Sequence, residues 1–183
     1  MLLRIRNAFT IFICSFFIWS CSNNDFSETT MYFETDKQVY KTNDKFELTL
    51  FIHAEEEEDI KVRFFKDYRN IDISFISLKN ENEFAQKLSK TFIEGPSLFG
   101  NNDELIDEYI VTSDKPFIKI FTGKIVETND QISLKIPELN ISNHIDKSVL
   151  IKNPTITIKG SCRTIYSSEI KQIPNKEFNV LIK

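Results

Sequence analysis

The feature that most constrains the fold is an alternation of apolar and polar residues with a period of two. In residues 46–52 every second position is apolar, and residues 71–75, 132–136 and 155–159 repeat the pattern. Successive side chains of a β-strand point to opposite faces, so the pattern predicts strands with one buried and one exposed face. Further candidate strands lie at 60–65, 107–112, 117–121 and 178–182.

Clusters of turn-forming residues separate these segments. The chain has only four Gly, and Asn, Asp, Thr and Pro take the turn positions instead. The clusters lie at 42–44, 55–59, 114–116, 128–130, 153–154 and 174–175. Seven or more short strands with such turns predict an all-β fold, an antiparallel sandwich of two sheets.

Residues 33–48 resemble the first two strands of bacterial immunoglobulin-like modules. Those modules often carry Thr-Asp-Lys, then a Tyr, then a Gly-Asp turn before an alternating strand. The chain has the same three residues at 35–37, then Tyr40, and then Asn43-Asp44 in place of the Gly-Asp turn. Asn43 stands where Gly is preferred, and Asn is among the few other residues that adopt a positive φ. The resemblance implies an immunoglobulin-like sandwich but no active site, because such modules serve many functions.

The first 21 residues resemble the signal peptide of bacterial lipoproteins. A basic start precedes an apolar run at 8–20, which at about 13 residues is shorter than the roughly 20 that span a bilayer. Ile18, Ser20 and Cys21 match the −3, −1 and +1 positions, whereas Trp19 departs from the small or aliphatic residue usual at −2. The resemblance implies cleavage before Cys21 and lipidation of its thiol. An ordinary signal peptide cut near Ser20 and an uncleaved N-terminal anchor are the alternatives.

The resemblance also implies an address and a domain division. Ser22 is not the Asp that retains lipoproteins at the inner membrane, so we expect an outer-membrane lipoprotein of the cell envelope. We divide the chain into a signal peptide at 1–20, a lipidated Cys with a polar tether at 21–30, and one β-sandwich domain at 31–183. Which leaflet the domain faces is left open.

Charge and cysteine content exclude several classes of protein. Without Arg4 and Arg6 the chain has 27 acidic and 21 basic residues, a formal charge of −6, which gives no electrostatic reason to bind nucleic acid. Cys14 leaves with the signal peptide and Cys21 is lipidated, so Cys162 has no partner for a disulfide. We expect Cys162 to be a buried structural thiol, and we predict no cofactor and no metal.

The long break in the strand pattern is a predicted insertion at about 79–106, either a short helix or irregular. Phe84, Leu88 and Phe92 have the spacing of one helix face. Leu98 and Phe99 then stand between two glycines, at a predicted loop tip. They either anchor a partner or fold back over a sheet edge, and a long insertion is where function is often added to a rigid scaffold.

Catalytic motifs are missing from the sequence. It has no Gly-x-Ser-x-Gly, no phosphate loop and no His-Glu-x-x-His. We expect His53 at a strand end with a local hydrogen bond, and His144 in a loop. The acidic runs at 55–59 and 101–104 are expected to be solvated turns, with a weak calcium site or, for 55–59, docking of a basic partner as the alternatives. An enzyme is therefore the least favoured class.

The function predicted from these features is a lipid-anchored, non-catalytic module that binds a protein partner. Phe64 and Phe65 point to opposite faces of their strand, and Thr49 and Phe51 take outward positions, so an outer face with aromatic rings could stack on sugars. The alternatives are thus an accessory glycan-binding lipoprotein and an inhibitor or immunity-type protein that uses the 79–106 segment. The same aromatic rings could instead pack in the core.

Overall fold

The computed structural model describes residues 26, 28–56, 59–77, 105–165 and 169–182. Within these ranges the chain forms eleven β-strands, one short α-helix and a 3-10 turn at Pro137–Leu139. The elements are β1 (Thr29–Thr35), β2 (Val39–Lys41), β3 (Lys45–Ala54), β4 (Ile60–Phe65), β5 (Ile71–Ile76), β6 (Ile106–Val111), β7 (Phe117–Glu127), β8 (Gln131–Ile136), β9 (Ile141–Asp146), α1 (Lys147–Lys152), β10 (Thr155–Arg163) and β11 (Ile170–Leu181).

The strands form a sandwich, which confirms the predicted all-β fold class. One sheet has the order β1-β3-β7-β8-β9, the other has the order β2-β11-β10-β5, and β4 and β6 make a separate two-stranded ribbon. Pairing is antiparallel throughout the described strands except between β2 and β11, where Val39 pairs with Asn179 in parallel. The N-terminal segment therefore contributes β1 to the first sheet and β2 to the second.

The core lies between the sheets on the faces that the alternation predicts. Phe46, Leu48, Leu50 and Ile52 of β3 are all fully buried. The ring of Phe46 crosses to the second sheet, with its centroid 6.2 Å from that of Phe178. The apolar positions of the other three alternating segments are buried as well: Ile71, Ile73, Phe75, Ile132, Leu134, Ile136, Ile156 and Ile158.

The turn predicted at 174–175 is wrong, because these residues lie inside β11. The register between β10 and β11 shifts here: Ile158 pairs with Lys176, whereas Gly160 pairs with Ile173. β11 thus has one extra residue at this point, which is a β-bulge. Pro174 has no N–H to give to the ladder, and a bulge is one of the few places in a sheet that tolerates proline.

The folded part of the chain begins before residue 31, so the predicted tether is shorter than 21–30. β1 starts at Thr29, whose side chain is buried, and Phe26 is only 1% exposed. Lys171 Nζ donates a hydrogen bond to the Phe26 carbonyl oxygen at 2.9 Å. Phe26 belongs to the hydrophobic core, so the sandwich already includes residue 26.

A hydrogen-bond network centred on the carboxylate of Asp36 joins the β1–β2 connection to β3. Tyr40 Oη donates to Asp36 Oδ1 at 2.6 Å, and the Glu47 N–H donates to the same oxygen at 2.7 Å. Burial acts to raise the pKa of Asp36, but these two hydrogen bonds and the nearby Lys37 lower it below its ordinary value. Asp36 and Tyr40 belong to the segment that resembles immunoglobulin-like modules, and here they fix its conformation.

Asn43 has a φ of 71°, as its place in the turn predicts. We expect Asn43→Ala to lower the free energy of unfolding by about 1–2 kcal/mol, because alanine is strained in the left-handed region. Asn43→Gly should stay within a few tenths of a kcal/mol of the wild type. Urea unfolding of the two variants checks this, and an equal loss in both would show that the Asn43 side chain, rather than the backbone conformation, matters.

Candidate functional site

The outer face of the five-stranded sheet carries an apolar surface that we call the outer-face patch. It consists of Tyr32 on β1, Phe51 and His53 on β3, and Ile118 and Ile120 on β7. The register places Tyr32 opposite Phe51, and Phe51 opposite Ile118. Since β1, β3 and β7 are neighbours and these positions alternate with the buried ones, the five side chains lie side by side on one face.

Three rings of the patch are nearly parallel. The ring planes of Tyr32 and Phe51 differ by 12°, those of Tyr32 and His53 by 8°, and those of Phe51 and His53 by 16°. Tyr32 Oη and His53 Nε2 are hydrogen-bonded at 3.1 Å, so the two ring planes cannot be offset by much more than that. Most of the 5.6 Å between their centroids is therefore lateral. These two rings are therefore nearly parallel and laterally displaced.

The aliphatic side of the patch is open to solvent. Ile118 and Ile120 are 52% and 50% exposed. A single exposed isoleucine needs no explanation, but two on one face beside three aromatic rings make a contiguous apolar patch, which is typical of a binding surface. Thr49 lies opposite Ile120 and continues the same surface.

Acidic side chains border the patch. Glu34 lies opposite Thr49, and Glu47 is the next outward position along β3. At the other end of the patch, Glu55 lies two residues after His53. Its carboxylate accepts a hydrogen bond from Thr30 Oγ1 at 3.4 Å and lies 3.7 Å from Lys171 Nζ. The patch is thus an apolar centre with carboxylates at both ends.

The sequence of β7 carries a signal for this patch that a search for alternating apolar and polar residues does not detect. In residues 117–121 four of five positions are apolar, so both faces of the strand are apolar. The one polar residue, Lys119, faces inward, where its Nζ lies 4.5 Å from the Tyr68 ring centroid and 2.5 Å from Glu138 Oε1. A strand that is apolar on both faces is either buried on both or presents one face to a partner.

Phe51 faces outward as predicted, but Phe64 and Phe65 do not contribute to an exposed aromatic surface. Both are buried. Phe64 packs against Phe117 with 4.8 Å between the ring centroids, and the guanidinium of Arg69 lies 4.8 Å above the Phe65 ring. For these two rings the core-packing alternative is the one confirmed.

The two histidines are both on strands. His53 is at the end of β3 with a hydrogen bond, as predicted, whereas the expectation of a loop for His144 is wrong. Ser133 Oγ lies 2.8 Å from His144 Nδ1, and Ser142 Oγ lies 3.4 Å from its Nε2. A hydrolase triad has an accessible serine and a carboxylate on the second ring nitrogen. Here Ser133 is only 3% exposed, and Nε2 of His144 faces Ser142 rather than a carboxylate. The contact between Ser133 and His144 instead joins β8 to β9.

Cys162 is fully buried on β10, as predicted, and burial raises the pKa of its thiol to about 12. It is a free cysteine. A thiol with a raised pKa has little thiolate at neutral pH and is a poor nucleophile. Cys162 is therefore a core residue and not a reactive one.

Several predicted features lie outside the described residues. They are Cys21, nearly all of the predicted insertion at 79–106 with Leu98 and Phe99, and the acidic run at 101–104. Of the run at 55–59, Glu55, Glu56 and Asp59 are described and exposed. Among the residues with described positions, no three His, Cys, Asp or Glu side chains come together as a metal site would require.

Comparison with known proteins gives no relationship from which function could be transferred. No model of a protein family matches the chain, and no curated protein matches it. In the described part of the chain, no helix has the length and apolar character needed to cross a membrane.

Proposed function

We propose that this protein is a lipid-anchored, non-catalytic binding module of the bacterial cell envelope that recognises a protein partner through the outer-face patch. The lipid anchor at Cys21 and the outer-membrane location rest on the resemblance of the N-terminus to a lipoprotein signal peptide. The single observation that supports binding is the contiguous apolar surface of Tyr32, Phe51, His53, Ile118 and Ile120 on three adjacent strands.

The composition of the patch favours a protein over a glycan. Ile118 and Ile120 are aliphatic, and branched aliphatic side chains pack against other apolar side chains rather than against sugar hydroxyls. Two polar side-chain atoms of the patch are also engaged, because Tyr32 Oη and His53 Nε2 bind each other. A desolvated aromatic and aliphatic centre is the usual anchor of a protein interface.

The charges around the patch indicate the chemistry of the partner. Glu34, Glu47 and Glu55 border the apolar centre, and the chain without its signal peptide is acidic. Complementary potentials favour association and suppress wrong partners. We therefore propose a partner with an apolar surface bordered by Lys and Arg.

The test is a matched pair of double variants of the full-length lipoprotein. A photo-crosslinking amino acid at Thr49, used in native membranes, first identifies the partner. Ile118→Ser/Ile120→Ser should then weaken binding of that purified partner by about 30-fold or more, because an interface anchor contributes 2 kcal/mol or more. The control Ile110→Ser/Ile151→Ser changes two isoleucines of similar exposure elsewhere and should leave the affinity unchanged.

Two results would contradict this proposal. One is an unchanged affinity in Ile118→Ser/Ile120→Ser, with the melting temperature of the variant near that of the wild type. The other is an equal loss in both double variants, which would show a general effect of removing surface isoleucines. Raised salt should also weaken binding, because the proposed border contacts are electrostatic.

The near-parallel rings favour a glycan as the second candidate ligand. Sugars stack on the faces of aromatic rings, and the rings of Tyr32 and His53 are nearly parallel. A glycan-binding protein would be retained on envelope polysaccharide, and Tyr32→Ala would abolish retention while Ile118→Ser/Ile120→Ser would not. An inhibitor or immunity-type protein would differ from the first candidate only in its partner. Leu98 and Phe99 stay a sequence-based prediction of a further contact.

A further inference from the structure

The N-terminus of the domain is fixed firmly to the core. The Phe26 side chain is buried and its ring centroid lies 5.7 Å from that of Phe64. Lys171 Nζ donates hydrogen bonds to the carbonyl oxygens of both Phe26 and Thr29. Residue 26 therefore moves with the sandwich and cannot serve as part of a flexible tether.

Only residues 22–25 then separate Phe26 from Cys21, the proposed site of lipidation. At 3.3–3.6 Å for each residue, the chain from Cys21 to Phe26 reaches at most about 18 Å. By comparison, β3 has ten residues and is about 30 Å long. The tether is thus shorter than the sandwich, so the domain cannot move a full domain length away from the lipid.

A distinct end of the sandwich lies at Phe26. A pocket of about 290 Å³ opens there, lined by Phe26, Thr164, Glu169, Ile170 and Lys171. Ile170 is 39% exposed at this end, whereas the ammonium group of Lys171 is hydrogen-bonded to the carbonyl oxygens of Phe26 and Thr29. An exposed isoleucine suits the boundary between headgroups and acyl chains.

We infer that this end of the domain, where Phe26 is anchored in the core and Ile170 is exposed, rests against the bilayer surface. The inference rests on the proposed lipidation of Cys21. Glu55, Glu56 and Asp59 are exposed near the same end, so the short tether, rather than charge attraction to anionic lipid, holds the domain there.

The orientation places the outer-face patch beside the membrane. Thr29 pairs with Ala54, so the end of β3 that carries His53 is the end near the bilayer, and the patch extends from there along β3. A partner bound to this face must itself reach to within one domain length of the membrane surface. A protein held in the same membrane meets this condition.

The experiment uses tryptophan as a reporter, because the only Trp of the chain is Trp19 in the predicted signal peptide. Full-length lipidated Ile170→Trp and Asn129→Trp are reconstituted in vesicles whose phospholipid headgroups carry a nitroxide quencher. Asn129 lies in the β7–β8 turn, beyond the Lys124–Lys45 pair at the opposite end of the sheet. We expect severalfold stronger quenching of Ile170→Trp than of Asn129→Trp.

A third variant tests the tether itself. A flexible Gly-Ser segment of about 20 residues, which extends the r.m.s. reach by roughly 25 Å, is inserted between Asp25 and Phe26 of the Ile170→Trp protein. Quenching should then fall towards the value of Asn129→Trp. The melting temperatures of the three variants confirm that each is folded.

The outcomes separate this inference from the proposed function. Equal quenching at both positions, or no quenching at either in protein that floats with the vesicles, would overturn the orientation while leaving the lipid anchor intact. Quenching unaffected by the inserted segment would show that the tether does not set the distance between the domain and the bilayer. This result would also overturn the orientation. Protein that neither floats nor carries a fatty-acid label would overturn the lipid anchor and this inference with it.

Discussion

Replacing Cys21 with serine should abolish fatty-acid labelling and leave an unprocessed precursor that is 20 residues longer than the mature protein. The diacylglycerol is transferred to a thiol, and a serine hydroxyl does not replace it. Each buried methylene contributes about 0.8 kcal/mol to membrane binding, so losing two acyl chains removes stable anchoring altogether. Metabolic labelling with an alkyne fatty acid, followed by electrophoresis, measures both effects.

Cys14→Ser is the matched control, because it makes the same change within the apolar run of the signal peptide. It should leave labelling and processing intact. Undiminished labelling of Cys21→Ser would place the lipid on another residue, and the proposed anchor at Cys21 would then have to be abandoned. Cleavage of the wild-type protein near Ser20 without any fatty-acid label would instead favour an ordinary signal peptide.

Replacing Phe46 with alanine should lower the free energy of unfolding by about 3–5 kcal/mol. Phe46 is fully buried, and from its place on the five-stranded sheet it contacts aromatic rings of the four-stranded sheet, with centroids 6.1 Å from Tyr40 and 5.6 Å from Phe75. Truncation leaves a cavity at the centre of the sandwich. Because a domain is stabilised by only about 5–15 kcal/mol in total, this loss is large.

Phe51→Ala is the control on the same strand. Phe51 faces outward and is only half-buried, so its truncation should lower the free energy of unfolding by about 1 kcal/mol, mainly through the lost contact with Tyr32. Urea unfolding gives both values. Losses of similar size would mean that the two faces of β3 are not the inner and outer faces that the alternation assigns.

Local sequence pattern was enough to determine the sandwich and the inner faces of its strands. Alternation placed Phe46, Ile73 and Leu134 inside, because the period of a strand is two and burial of apolar area drives folding. Asn43 could be assigned to a positive φ for an equally local reason, the steric cost of a Cβ in the left-handed region. Cys162 was correctly expected to be buried, because predicted strands rich in isoleucine surround it in the sequence.

Features that depend on pairing between distant segments required the tertiary structure. Pro174 lies within a strand because β11 bulges opposite β10, and that register depends on two strands whose pairing no local pattern specifies. Phe26 follows a polar stretch, yet it is buried because Phe64, some forty positions later, covers it. His144 is on a strand because its hairpin partner Ser133 contacts it.

The outer-face patch shows the same division. The sequence determined that Phe51 points outward, since it alternates with buried residues of β3. Only the tertiary structure decided that Tyr32 and Ile118, from strands far apart in the chain, flank Phe51 on the same face. The order of strands in a sheet is set by long-range packing rather than by local preference, so a surface made from three strands becomes visible only when they are assembled.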